Sequence, residues 1–169
     1  MVVIINSCNF CCKHSRNVLV LMELKSKIES LGIYVPSHSM TTSELIASCH
    51  KKPRWDLEKL TGIKEHWVAK GEYSIDLAIK AVKNALSMSK YSEKDIDMLF
   101  CSSISRHNCE GKIVLEPSTS SQIKKAVGLP RAMTFDIVNA CAGMFSGVYI
   151  LNSFIKTGAI KCGIVVSGE

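Results

Sequence analysis

From Ala140 to Ile155 the chain carries no charged side chain. Gly143, Ser146 and Gly147 recur within that run at helical spacing, which admits close neighbours, so it is expected to form a helix buried on every side. Lys156, Thr157 and Gly158 end it with a basic last turn and a helix-stopping glycine. Ahead of it, Phe135-Asp136-Ile137-Val138 reads as a short strand that breaks at Asn139, a good N-cap. Strand, turn and buried helix thus meet at Cys141. That residue is expected in the first helical turn, where unpaired N–H groups and the positive end of the helix dipole favour an anion. Such settings bring a thiol pKa from about 8.5 to roughly 3.5–7.5, which suits a nucleophile. The alternative is a cysteine that packs as a small buried hydrophobe.

Composition narrows the classes. The 169 residues suffice for a domain with a sizeable core, and 47% hydrophobic with 21% charged residues reads as soluble and globular. No apolar run reaches the roughly eighteen residues of a membrane span. Eight cysteines could signal a disulfide scaffold, but Val2 to Ile5 is too short for a signal-peptide core, so free thiols in a reducing cytoplasm are expected. The formal charge is +6, from 21 basic and 15 acidic residues. The basic residues are dispersed without interleaved aromatics, which argues against nucleic acid. A mild positive surface suits the phosphates of coenzyme A or an acidic carrier protein, and equally a merely solvated surface.

Taken in order, residues 1–21 read as a flexible extension or a misassigned start, with the domain over 22–169. Cys8, Cys11, Cys12 and His14 could bind zinc, but no second ligand pair follows at a finger-like distance, so no metal is assigned. Ser26 to Val35 reads as a strand, and Thr42 to Cys49 as a short helix before Pro53. Ser74 is expected to cap an amphipathic helix with Ile75, Ala78, Ile79, Val82, Ala85 and Leu86 on one face. Met98 to Ser102 reads as a buried strand. Pro117 is expected to open a helix running to Gly128, Ala132 to Val138 is the strand that delivers Cys141, and Cys162 to Ser167 is the next. This alternation implies an α/β fold with a mixed, mostly parallel sheet and right-handed crossovers.

The phrase Phe-Asp-x-x-x-Ala-Cys-Ala-Gly at 135–143, followed by Thr157-Gly158-Ala159-Ile160-Lys161 and by Gly163 to Gly168, resembles the nucleophile region of ketoacyl-ACP synthase III in the thiolase superfamily. The resemblance runs from about Ile28 to Glu169. It implies the N-terminal half of the layered αβαβα thiolase fold, in a homodimeric condensing enzyme. In such an enzyme Cys141 takes an acyl group from acyl-CoA and condenses it with malonyl-ACP in fatty acid or related lipid synthesis. Coenzyme A then enters as part of the substrate, and no cofactor is implied. Thr61-Gly62-Ile63-Lys64-Glu65-His66 resembles the segment after that family's coenzyme A contacts. Trp55 matches its adenine-stacking tryptophan, although no arginine lies between Trp55 and Thr61 and the spacing is one residue longer. Packing of Trp55 under a loop is the other reading.

Arg106 and Leu115-Glu116-Pro117-Ser118 resemble instead the condensing enzyme of bacterial long-chain olefin synthesis, as does Val166-Ser167-Gly168-Glu169. That enzyme joins two acyl-CoAs without decarboxylation. With no CO2 leaving, a base must remove a Cα proton, and the resemblance gives that role to Glu116, with Arg106 as a substrate contact. Glu116 could equally be an acid favoured by a helix start. The family's catalytic histidine and asparagine lie in a second half, and none of His14, His38, His50, His66 or His107 occupies a matching position. The chain is therefore expected to expose apolar faces and to lack full turnover. A catalytically dead truncation, an interface subunit of a heterodimer and a thiol-rich metal-binding protein are the rival readings.

Overall fold

The computed structural model describes residues 1–8, 25–110 and 112–169, the side chain of Cys8 excepted. Two compact units result: a larger one from Met1–Tyr34 and Tyr73–Glu169, and a smaller one from Val35–Glu72.

The larger unit is built on a five-stranded sheet of order β2-β1-β7-β5-β6. Its strands are β1 (Val2–Cys8), β2 (Lys25–Gly32), β5 (Met98–Cys101), β6 (Met133–Asp136) and β7 (Cys162–Val166). Within it β5 is parallel to both β6 and β7, while β1 is antiparallel to both β2 and β7. Strand alternation divides the apolar residues between two layers. Val2, Ile4, Leu99, Cys101, Ile164 and Val166 meet α3 (Ser74–Ser87) and α4 (Thr119–Val127) on one face. Val3, Ile5, Met98, Phe100 and Val165 meet Leu151 and Ile155 of α5 (Gly143–Lys156) on the other. Strands β5 and β7 are buried at every residue, the mark of parallel strands covered on both sides.

Four expectations are corrected. Val2 to Ile5 are no extension: they are at most 5% exposed and sit in β1, between β2 and β7. Strand pairing is non-local, so seven residues with no sequence-visible partner gave no sign of it. The residues of the cysteine cluster beyond Cys8 lie outside the described ones. Helix α5 is not buried all round. Gly143, Gly147, Leu151 and Ile155 form one buried stripe, whereas Phe145 and Tyr149 are 77% and 73% exposed. A missing charge shows that a face tolerates burial, and the sheet covers only one face. Helix α4 begins at Thr119, not Pro117; Ser118 is its N-cap and accepts the Ser121 N–H at 3.3 Å. Tyr73, not Ser74, is the N-cap residue of α3, and the Asp76 carboxylate accepts the Tyr73 N–H at 2.9 Å.

The smaller unit pairs β3 (His38–Thr41) antiparallel with β4 (Glu65–Val68) and carries α1 (Thr42–Ser48) and α2 (Leu57–Thr61). A capping box starts α1: Thr41 accepts the Glu44 N–H, and Glu44 accepts the Thr41 N–H at 2.8 Å. The Thr41 N–H and then the Thr41 hydroxyl, which donates to the same carboxylate oxygen at 2.7 Å, hold the Glu44 carboxyl below its ordinary value. Asp56 caps α2, and Gly62 ends it at φ 73°.

Candidate active site

Because β5 and β6 run parallel, their carboxyl ends open on the same side of the sheet, the side on which open α/β sheets place their ligands. Two connections leave there. Residues 102–118 follow β5 and carry Arg106 and Glu116, and residues 137–142 follow β6 and carry Cys141.

The second connection first continues the ladder, with the Ile137 N–H on the Cys101 carbonyl at 2.8 Å. It then closes into a 3-10 turn over Ala140–Ala142 that leads directly into α5. Ala140 holds φ at 40°, a left-handed conformation that alanine seldom adopts and that costs about 1–3 kcal/mol. A Cβ on Gly143 would lie 3.1 Å from that of Ser102, and one on Gly147 would lie 2.6 Å from Val165 Cγ1, so α5 approaches the sheet as only glycines allow. Cys141 is exposed in this turn, beside the positive end of the α5 dipole. Asn139 does not cap α5; its Nδ2 donates to Ser146 Oγ at 2.7 Å, and Ser146 Oγ donates to the Ala142 carbonyl. The cap expectation therefore fails, because the 3-10 turn displaces the helix start by three residues, while the placing of Cys141 between strand and helix holds.

The first connection is tethered over its first residues. The Ser102 N–H donates to the Val166 carbonyl at 2.8 Å, and Ser103 Oγ accepts the Gly168 N–H at 2.9 Å. The N–H groups of Ile104 and Ser105 both reach the Glu169 carboxylate. Arg106 holds φ at 50°. Its guanidinium stands 4.0 Å from Asp136 Oδ2, with 16% of the side chain exposed. Glu116 is exposed and joined to Pro117 by a cis peptide bond.

Asp136 was not singled out from the sequence. Ending β6, its carboxylate accepts the Thr119 N–H at 3.0 Å and the Ser120 N–H at 2.8 Å, thereby capping α4 from another element. The visible signal is a lone carboxylate closing an apolar strand five residues before Cys141. Through it the strand of Cys141, the guanidinium of Arg106 and the helix just after Glu116 meet at one side chain. Trp55 belongs to the smaller unit, where it is 73% exposed rather than packed under a loop. Among the described residues no three His, Cys, Asp or Glu side chains gather as a metal site.

The α/β unit, with its glycine-seated helix and the exposed cysteine ahead of it, has a thiolase-like fold. The curated relatives the chain resembles are ketoacyl-ACP synthase III proteins. The chain is 32% identical over 143 residues to beta-ketoacyl-[acyl-carrier-protein] synthase III of Clostridium novyi (strain NT), covering 85% of this chain and 42% of that protein. The crystal structure of 3-oxoacyl-[acyl-carrier-protein] synthase III from Aquifex aeolicus VF5 superposes with TM-score 0.68 at 24% identity, over 83% of this chain and 52% of the other. OleA of Xanthomonas campestris, crystallised with cerulenin, superposes with TM-score 0.66 at 27% identity, over 83% of this chain and 43% of OleA. No protein-family model matches. The chain spans about two-fifths of the length of the curated relatives it matches.

Proposed function

We propose that this chain is the nucleophile-bearing part of an acyl-transferring condensing enzyme of the ketoacyl-ACP synthase III type. The observation that carries the reading is Cys141, exposed at the carboxyl end of a parallel strand, on a strained turn directly ahead of a 14-residue helix. The thiolate attacks the carbonyl of an acyl-CoA, the coenzyme A thiol leaves with a proton, and the acyl group rests on Sγ as a thioester. Backbone N–H groups near Cys141 contribute to holding the carbonyl oxygen as it becomes negative. The acyl-enzyme then condenses with malonyl-ACP, whose loss of CO2 supplies the carbanion.

Trp55 is the proposed coenzyme A contact, and its exposure leaves its ring face open for stacking. A homodimer is proposed from β6. Among the described residues it is an edge strand paired only with β5, and Met133 and Phe135 are each 52% exposed, so it offers backbone and apolar side chains to a second copy. A cytoplasmic setting is proposed from the reduced thiols among the described residues, where no helix is long and apolar enough to cross a membrane.

A second reading rests on Glu116 and on the likeness to OleA. Here Glu116 removes a Cα proton from a second acyl-CoA, the C–H electron pair attacks the carbonyl of the Cys141 thioester and expels the Cys141 thiolate, and no CO2 is released. Supplying acyl-CoA with and without malonyl-ACP and measuring CO2 against β-keto product separates the two. One CO2 per product supports the first reading; product without CO2, lost in Glu116→Ala, supports the second. A folded chain that takes no acyl group would instead be an interface subunit or an inactive truncation.

A further inference from the structure

The connection between β5 and α4 is anchored by carboxylates that belong to neither element. Glu169, three residues past β7, accepts the N–H of Ile104 and, at 3.3 Å, the N–H of Ser105. Asp136, the last residue of β6, accepts the N–H groups of Thr119 and Ser120 and stands beside the Arg106 guanidinium. Connections on a surface ordinarily leave such N–H groups to water. Here four N–H groups meet two carboxylates in charge-assisted bonds, about twice as strong as neutral ones. Glu116 lies between the two anchor points, three residues before Thr119.

We infer that Glu169 and Asp136 are positioning residues that fix Glu116 relative to the strand ends from which Cys141 emerges. Neither touches the reacting atoms. Glu169 ties the start of the connection to β7, and Asp136 ties its end to β6, so Glu116 is held from both sides. The inference rests on the reading of Glu116 as the acceptor of a Cα proton. That proton passes to the Glu116 carboxylate, the C–H electron pair moves into the thioester as an enolate, and in D2O a deuteron returns to carbon.

The test compares the whole chain with Glu169→Gln, Asp136→Asn and Glu116→Gln by residue-resolved amide exchange, Cα deuterium uptake by acyl-CoA, and acylation of Cys141. Each positioning variant is expected to speed amide exchange by roughly tenfold at its own donors and at Val114, the described residue nearest Glu116 on this connection whose N–H is bonded, to the Arg106 carbonyl at 3.2 Å, leaving the middle of α3 unchanged. Each should also lower the ratio of Cα exchange to acylation by roughly tenfold. Faster exchange confined to the donor amides, or Cα exchange and acylation falling in equal proportion, would overturn the inference and leave two structural caps. If Glu116→Gln leaves Cα exchange unaltered, or none occurs in any form, the role of Glu116 fails on its own. Positioning is then decided by the amide of Val114, two residues before Glu116: faster exchange in both variants upholds it, and unchanged exchange overturns it.

Discussion

Gly147 of α5 lies so close to Val165 of β7 that a methyl group on the glycine would stand 2.6 Å from Val165 Cγ1. This contact sets how deeply the helix behind Cys141 seats on the sheet. Gly147→Ala should destabilise the fold by about 1–3 kcal/mol through overpacking. Adding Val165→Ala should recover part of the loss, since the two sites share one space. Urea midpoints of the two single variants and the double variant check it; strict additivity would contradict the contact.

Ala140 tolerates φ 40° because it has only a methyl group. Ala140→Val places a β-branched side chain in a region nearly closed to it and should lower stability by about 1–3 kcal/mol. Ala140→Gly should not lower it by more than the ~0.5–1 kcal/mol entropic penalty of glycine, because it relieves the same strain. Thermal unfolding of the pair measures the contrast, and equal effects would argue against a strained turn.

Burial sorts the thiols. Cys49, Cys109 and Cys141 are exposed, whereas Cys101 and Cys162 are buried. Desolvation raises the Cys101 thiol above its ordinary value and pushes Cys162 up to about 12, with the carboxylates of Asp97 and Glu29 adding to the latter shift. The folded state therefore keeps these protons after the unfolded chain, with thiols near 9.0, has released them. Stability from this source is full below about pH 9 and falls as pH rises toward 12. Cys162→Ala should flatten the decline in urea midpoint between pH 8.5 and 10.5, at roughly 1.4 kcal/mol per pH unit at most. An unchanged slope would contradict the burial of this thiol.

The face of α5 bearing Phe145 and Tyr149 adjoins no covering element among the described residues. Apolar exposure of this kind drives association. The chain should elute above the mass of a monomer in light-scattering chromatography. Phe145→Ser with Tyr149→Ser should lower the associated mass toward that of the dimer proposed through β6, without loss of helix signal. A monodisperse unsubstituted monomer would refute this.

Much of the scaffold was legible because its signals are local. The amphipathic period of α3, the apolar runs of β5 and β7, and the basic turn with Gly158 after α5 each announce themselves within one element. Cys141 was legible for the same reason, as the junction between a strand and an uncharged run. What the sequence hid depends on partners far along the chain. The place of Val2–Cys8 between β2 and β7 is one case. The capping of α4 by Asp136 is another, as is the capture of two loop N–H groups by Glu169. The one-sided burial of α5 was hidden differently, since lack of charge does not say which face is covered.

The central claim is that Cys141 is built as an acyl-accepting nucleophile. Incubating the purified chain with a panel of acyl-CoAs and reading its intact mass, beside Cys141→Ala, tests it directly. The account predicts a single acyl adduct that maps to Cys141, is absent in the variant and is released by hydroxylamine. A chain shown to be folded by its amide exchange, yet taking no adduct at Cys141 from any member of the panel, would contradict it.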